Sequence, residues 1–377
     1  MELIFWTSLG VILYVYVGYP LLLAMIAFRA PPTRQDDSYC PSVSLIIAAY
    51  NEEKVLREKI DNSLALDYPR DRIEIVIASD GSTDATDAIA ASYMERGIIL
   101  YKVIPRGGKT RALNTVIPKT RGEILVLSDA NTMFQPDAIR KLVRHFADPT
   151  VGAVSGDVRL VDAAESHAYS EGLYYCYERW LQGLESQVGS VIGADGGMYA
   201  VARRHFRPPV NSIILDDFVI SMTVARLGFR VLYEPEAVAI EQGTLSGREE
   251  FFRKVRIIAG GIQALKLGAG VPNLGQPLLL LGYFSHKLLR WLMPCLMLLI
   301  FLAAAALAKE PFYVFILSVQ VLFYGAALGY GLNTLGLRQL RISGIAYYFS
   351  FVNSAALLGL WKGLWGRQNA AWQRTTR

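Results

Sequence analysis

The run from Leu3 to Phe28 is apolar and carries no charge. A helix needs ~20 such residues to cross the hydrocarbon layer of a bilayer, so the run predicts an N-terminal membrane helix. A secretory signal fits less well: no positive segment precedes the run, which is also longer than an ordinary signal core. Arg29, Arg34 and the polar stretch from Pro31 to Ser38 follow it. Positive charge just past a span predicts that this side faces the cytoplasm. From Pro41 to about Gly270 the pattern changes to short apolar runs alternating with segments of helical spacing. Strands are predicted at Ser42–Ala49, Arg72–Ser79, Ile98–Val103 and Gly122–Ser128. Helices are predicted at Glu52–Leu64, Asp84–Arg96 and Lys109–Pro118. Strands that are apolar throughout are buried on both faces, so the rhythm predicts an α/β domain with a mainly parallel sheet flanked by helices.

Beyond Leu274 the apolar character returns. Pro277 to Trp291 combines an apolar face with His286, Lys287 and Arg290, the pattern of an interfacial helix whose cations snorkel toward headgroups. Leu292–Leu307, Pro311–Leu332 and Ile342–Leu360 each have the composition of a span. The chain thus divides into a membrane helix (1–30), a cytoplasmic catalytic domain (41–270) and a C-terminal membrane part with a basic tail (275–377). Three C-terminal spans would carry Lys362, Arg367, Arg374 and Arg377 across the membrane, against the positive-inside tendency. One of the three segments is therefore expected to be interfacial or re-entrant.

The overall composition, 53% hydrophobic and 19% charged, averages these unlike parts. The net charge of +5 admits nucleic acid, anionic lipid or an anionic substrate as partner. No basic stripe with interleaved aromatics occurs, so lipid and phosphate are favoured and nucleic acid is not. Cys40, Cys176 and Cys295 lie far apart with no CxxC pair, which suggests neither a disulfide framework nor a zinc site, and a reducing compartment fits the stretch holding Cys40 and Cys176.

Polar loops follow the predicted strands, where parallel sheets bind ligands. Tyr50-Asn51-Glu52-Glu53 is placed to hold a base and ribose, or merely to cap a helix through Asn51. Ser79-Asp80-Gly81-Ser82-Thr83-Asp84 repeats that choice after the second strand. Gly107-Gly108-Lys109-Thr110 is not a phosphate-binding P-loop, because that motif needs glycine where Val103 stands. Lys109 still suits a diphosphate, and a solvated basic turn is the alternative. Asp129 and Asn131 bracket one residue at the end of the fourth strand. In extended chain their side chains point the same way, and two such oxygens suit a hard cation that also binds phosphate. An Asx turn is the plainer reading. Asp216-Asp217 opens a helical run ending near Leu227. Two adjacent carboxylates repel, which raises one pKa and suits a general base; a helix cap with a first-turn acid is the alternative. Arg253 and Arg256 are one helical turn apart and could grip a diphosphate or lipid headgroups. Gly193 to Gly197 reads as a flexible loop lining an acceptor path. Glu171, Glu178 and Glu185 recur every seven residues and read as a solvated helix face.

Taken in order, SLIIAAYNEE, ASDGSTD, GGKTRALN, LSDAN, LDDF and RKVRI, with SHKLLRW at the membrane return, resemble a membrane-integrated family 2 glycosyltransferase of the polysaccharide-synthase kind. The resemblance covers the chain from about Ser42. It implies a GT-A fold and inverting single displacement on a nucleoside-diphosphate sugar, with a UDP-sugar as the expected donor and Mg2+ or Mn2+ as cofactor. By resemblance, Tyr50, Glu52 and Asp80 hold the nucleotide, and Asp129 and Asn131 match the metal-binding DxD motif. Asp217 matches the general base with Asp216 beside it, and Arg253 and Arg256 match the basic part of a QxxRW motif. Two departures stand out. Asn131 offers a neutral oxygen where the motif has a carboxylate. Arg253 and Ile257 stand where that last motif has glutamine and tryptophan, which puts processivity in doubt. The acceptor is then a lipid or a growing glycan in the bilayer, in a bacterial inner or plasma membrane. Single-sugar transfer to a lipid and a catalytically inactive scaffold are the alternatives. A dinucleotide oxidoreductase is disfavoured, since no GxGxxG follows the first strand.

Overall fold

The computed structural model describes residues 1–31, 33–161, 168–242, 247–333 and 340–366. Helix α1 (Glu2–Ala27) is continuous, with one π-turn at Tyr14–Gly18. The α/β part then runs β1 (Val43–Ala49), α2 (Leu56–Leu64), β2 (Ile73–Ser79), α3 (Thr86–Ala91), β3 (Ile98–Lys102), α4 (Lys109–Val116) and β4 (Ile124–Asp129). It continues through β5 (Thr132–Phe134), α5 (Ala138–Val143), β6 (Val151–Val161), α6 (Ala168–Val188), β7 (Met198–Ala202), α7 (Asp216–Arg226), β8 (Arg230–Gln242) and α8 (Gly247–Lys266). Helices α9 (Pro277–Trp291), α10 (Met293–Ala306), α11 (Pro311–Gly331) and α12 (Arg341–Leu364) complete the described chain.

All eight strands join one sheet in the order β3-β2-β1-β4-β7-β6-β8-β5. The first four pair in parallel, as the unbroken apolar runs predict. From β4 onward the sheet is mixed: β7 runs antiparallel to β4 and β6, and β5 antiparallel to β8. Every residue of β1 is buried, because cores form on both faces of the sheet. Side chains of Leu45, Ile47 and Val126 pack on one face and Ile46, Leu125 and Leu127 on the other. The carboxyl ends of β1, β2 and β4 consequently open on one edge, where the polar loops of the motifs collect.

Three helices are long and apolar enough to cross a membrane: α1, α11 and α12. Helices α9 and α10 meet at 59° and together make a fourth, broken candidate. With 14 residues, α10 alone extends only ~21 Å, short of the ~30 Å hydrocarbon layer. The expected interfacial helix is therefore one arm of a bent pair. Its cations do not snorkel outward. His286 and Arg290 turn inward onto α6, where His286 lies between Glu178 (3.0 Å) and Glu185 (2.7 Å) and Arg290 pairs with Glu178. The predicted solvated face of α6 is thus a contact with α9 at 178 and 185, where Arg290 and His286 partner Glu178 and His286 partners Glu185. The Glu171 side chain and tail residues Arg367, Arg374 and Arg377 lie outside the described residues.

Helix α12 differs from α11. In its most apolar window 44% of residues are buried, against 11% for α11, and it lies along α8. Two glycines permit the close approach. A Cβ at Gly359 would stand 2.8 Å from Ile258 Cβ and 2.9 Å from the Val255 carbonyl oxygen. At Gly363 it would meet Ile262 Cβ at 2.8 Å. Gly359→Leu is expected to push α8 off α12 and cost about 1–3 kcal/mol, read as a lower melting temperature of the detergent-solubilised chain.

Candidate active site

The loops after β1 and β2 are stitched together. Asn51, in the left-handed region at φ 54°, accepts the Thr83 N–H at 2.8 Å, and the Glu52 N–H donates to Thr86 Oγ1 at 2.7 Å. Asn51 therefore does not cap α2, whose first turn begins beyond Val55. Tyr50 borders this junction, and the Arg106 guanidinium stacks 3.6 Å above its ring.

Asp80 is buried, and its two oxygens accept the N–H groups of Gly107 (2.8 Å) and Gly108 (2.7 Å). Here Asp80 holds the loop that begins α4. Gly108 adopts φ +91°, a conformation costly for any residue with a side chain, and this sends the next residue, Lys109, into the site. The Lys109 ammonium lies 2.7 Å from Asp129 Oδ1, 3.7 Å from Asp216 Oδ2 and 3.4 Å from the Gly196 carbonyl oxygen. The start of α4, the end of β4, the loop before β7 and the start of α7 thus meet at one ammonium. Burial alone would lower the Lys109 pKa, but Asp129, Asp216 and Asp217 outweigh it and hold the group above its ordinary range.

Asp217 faces Gly196, where a Cβ would come within 2.7 Å of Asp217 Oδ2. Its Oδ1 accepts the Phe218 N–H at 2.8 Å. Burial, then repulsion from Asp216, pushes its pKa up to about 7 against the pull of Lys109. Asp216 is buried and lies 3.7 Å from the Lys109 ammonium.

Asn131 is buried and donates its amide to Glu241 Oε1 at 2.8 Å, which leaves its carbonyl oxygen as the atom to offer a cation. Glu241 and Asp195 are both raised in pKa, chiefly by burial and in part by Asp129. Sequence reasoning missed both. Asp195 stands among glycines in what read as a flexible loop, yet its Oδ1 accepts the Gly197 N–H at 2.9 Å. Glu241 lies on β8, in no motif. Arg253 pairs with Glu250 (2.7 Å) and donates to the Tyr175 hydroxyl (3.1 Å), while Arg256 donates to the Ile214 carbonyl (3.2 Å). Arg253 also acts on Asp195 and Glu241 through its field, so it borders the same pocket.

A divalent cation fits this set. An ammonium already occupies the carboxylate that would hold one, and Asn131 has an oxygen to spare. Among the described residues no cluster of three or more His, Cys, Asp or Glu forms a ready-made metal cage. The remaining ligands would be diphosphate oxygens and water, as hard cations prefer.

Comparison with known proteins agrees with this arrangement. Residues 44–204 match the Glycosyl transferase family 2 profile. Over 258 residues it is 27% identical to the probable glycosyltransferase YdaM of Bacillus subtilis, covering 63% of this chain and 61% of that one. It is 33% identical over 186 residues to β-monoglucosyldiacylglycerol synthase of Synechocystis, covering 47% of this chain and 38% of that one. It is 25% identical over 236 residues to poly-β-1,6-N-acetyl-D-glucosamine synthase of Staphylococcus aureus, covering 59% of this chain and 55% of that one. The chain thus spans less than two thirds of the length of each. A solved mannosyltransferase of Pyrobaculum calidifontis, in complex with GDP-Man and Mn2+, superposes with a TM-score of 0.73 at 24% identity, covering 97% of this chain and 100% of that one. That likeness establishes the GT-A-type fold, transmembrane candidates included.

Proposed function

We propose that this chain is an inverting, metal-dependent glycosyltransferase that moves a sugar from a nucleoside-diphosphate sugar to a membrane-associated acceptor. The observation that carries the reading is the meeting of Lys109, Asp129, Asp216 and Asp217 within one pocket. The Asp217 carboxylate takes the proton of the acceptor hydroxyl as that oxygen attacks the anomeric carbon opposite the diphosphate. Lys109 and Arg253 supply positive charge where the diphosphate gathers negative charge. A cation held by Asp129 and Asn131 would neutralise the leaving diphosphate. Tyr50 and Glu52 border the nucleotide, and Asp80 keeps Lys109 aimed. The resemblance of the motif set favours a UDP-sugar, while the solved mannosyltransferase of Pyrobaculum calidifontis holds GDP-Man.

A lipid acceptor is favoured over a secreted polymer by the helices themselves. The apolar windows of α1 and α11 are only 22% and 11% buried, so most of their surface faces outward, as toward lipid. Helix α12 lying along α8 supports an interfacial place for α12.

Purified full-length protein, given Mn2+ and a panel of labelled nucleotide-sugars with extracted lipids, is expected to yield labelled lipid and free nucleoside diphosphate, both lost with chelator. Labelled polymer with no labelled lipid would overturn the acceptor; no diphosphate release from any donor would overturn the enzyme. The base must be ionised to act, and its pKa is raised to about 7. The rate at saturating substrate is expected to climb about tenfold per pH unit below 7 and level off above it. A flat profile from pH 5 to 8 would contradict the assignment.

A further inference from the structure

At the far end of α7 from Asp217, a cavity of about 300 Å³ lies between the catalytic domain and the membrane helices. Asp216 and Ala225 are nine residues apart on that helix, ~14 Å along its axis, so the cavity is separate from the active site. Its wall is mostly apolar and draws on Tyr19 and Leu23 of α1, Val188 of α6 and Leu279 of α9. Two charged residues line it. Glu185 is already satisfied by the Tyr19 hydroxyl (2.8 Å), His286 Nδ1 (2.7 Å) and the Ile192 N–H (3.2 Å). Arg230 is not. It donates to the carbonyls of Gly189 (3.3 Å) and Ser186 (3.0 Å) and to Thr33 Oγ1 (3.2 Å), all neutral. No described carboxylate lies within ion-pair distance of it. Asp148 senses its field but accepts its hydrogen bonds from Thr150.

The surroundings are those of a bilayer boundary. Leu23 stands about one turn before the end of α1, and Arg29 follows within two residues of that end. Leu278, in the wall, is half exposed, and Leu227 and Leu274, close in sequence to other wall residues, are exposed as well. An apolar hollow of this size, rimmed by outward leucines and holding a guanidinium with no carboxylate partner, suits the phosphate of a phospholipid at Arg230 and the upper part of one acyl chain against Leu23, Val188 and Leu279, the rest of the lipid remaining in the bilayer. We infer that this cavity binds an anionic phospholipid of the membrane, which ties α9 to α1 and α6 without entering the reaction.

The test uses the full chain in neutral detergent. Added phosphatidylglycerol is expected to raise its melting temperature by roughly 5 °C, and phosphatidylcholine or soluble glycerol phosphate to do far less. Arg230→Gln removes the charge, and Val188→Phe fills the hollow while leaving Arg230 in place. Each is expected to abolish the phosphatidylglycerol-specific shift while nucleotide binding persists. Should Arg230→Gln fail to fold, Val188→Phe alone decides. A shift of equal size with phosphatidylcholine or glycerol phosphate overturns the inference, as does a full shift retained in Val188→Phe, which would assign the effect to general attraction between anionic lipid and Arg29 or Arg34.

Discussion

Asp217→Asn is expected to lower the turnover number by about 10³-fold or more while leaving nucleotide and metal binding near the wild-type level. General-base catalysis is worth roughly 10²–10⁴ in rate, and no neighbour can replace it. Asp216 is held by Lys109. Asp195 is committed to the Gly197 N–H. The substitution is close to isosteric, and its Oδ1 still accepts the Phe218 N–H. On the proposed reading the nucleotide is held by Tyr50, Glu52 and Lys109, away from Asp217, so binding should persist. The same change should stabilise the fold. An acid whose folded pKa is raised from 3.8 to about 7 loses stability as pH rises through that window, because the unfolded chain ionises first. Removing it above pH 7 relieves at most ~4 kcal/mol. A variant that is inactive and melts higher identifies a buried base. One that is inactive and melts lower identifies a structural residue, and near-normal turnover would dismiss Asp217 from the chemistry.

How far the site was legible from the sequence follows from where each residue sits. The βαβ rhythm placed β1, β2, β4 and their loops to within a residue or two, since strands buried on both faces leave an unmistakable apolar run. The acids at 80, 129, 216 and 217 stand at the ends of such elements, so their position at one edge could be inferred. What Asp80 does could not. Its oxygens are used on the backbone of Gly107 and Gly108, a tertiary choice that no local pattern encodes. The antiparallel half of the sheet was hidden because β7 and β8 follow long insertions, and strand direction is set by connections rather than composition. The heptad glutamates of α6 misled for a related reason. A charged stripe looks solvated until a partner helix supplies His286 and Arg290, and those residues lie more than a hundred positions away.

Lys109→Met should affect both binding and chemistry, and the pH profile distinguishes this from simple damage. The ammonium is the nearest positive charge to Asp129 and Asp216 and lowers the pKa of Asp217. Without it three acids share a pocket stripped of its nearest positive charge, and like charges in such a place resist ionising together. The proton is then retained by Asp217 to higher pH, so the acid limb of the rate profile, expected near pH 7 in the wild type, should move upward. The lost contact to the diphosphate should also reduce kcat/KM by about 10²-fold, in line with loss of a charge that stabilises a leaving group. Methionine keeps the length and apolar packing of the stem, and Asp80 still holds Gly107 and Gly108, so the loop should remain in place. Added Mn2+ should restore part of the limb by returning positive charge to Asp129. Activity lost with the limb unmoved would mean that Lys109 serves only the diphosphate, and that the pKa of Asp217 is governed by burial and Asp216 alone.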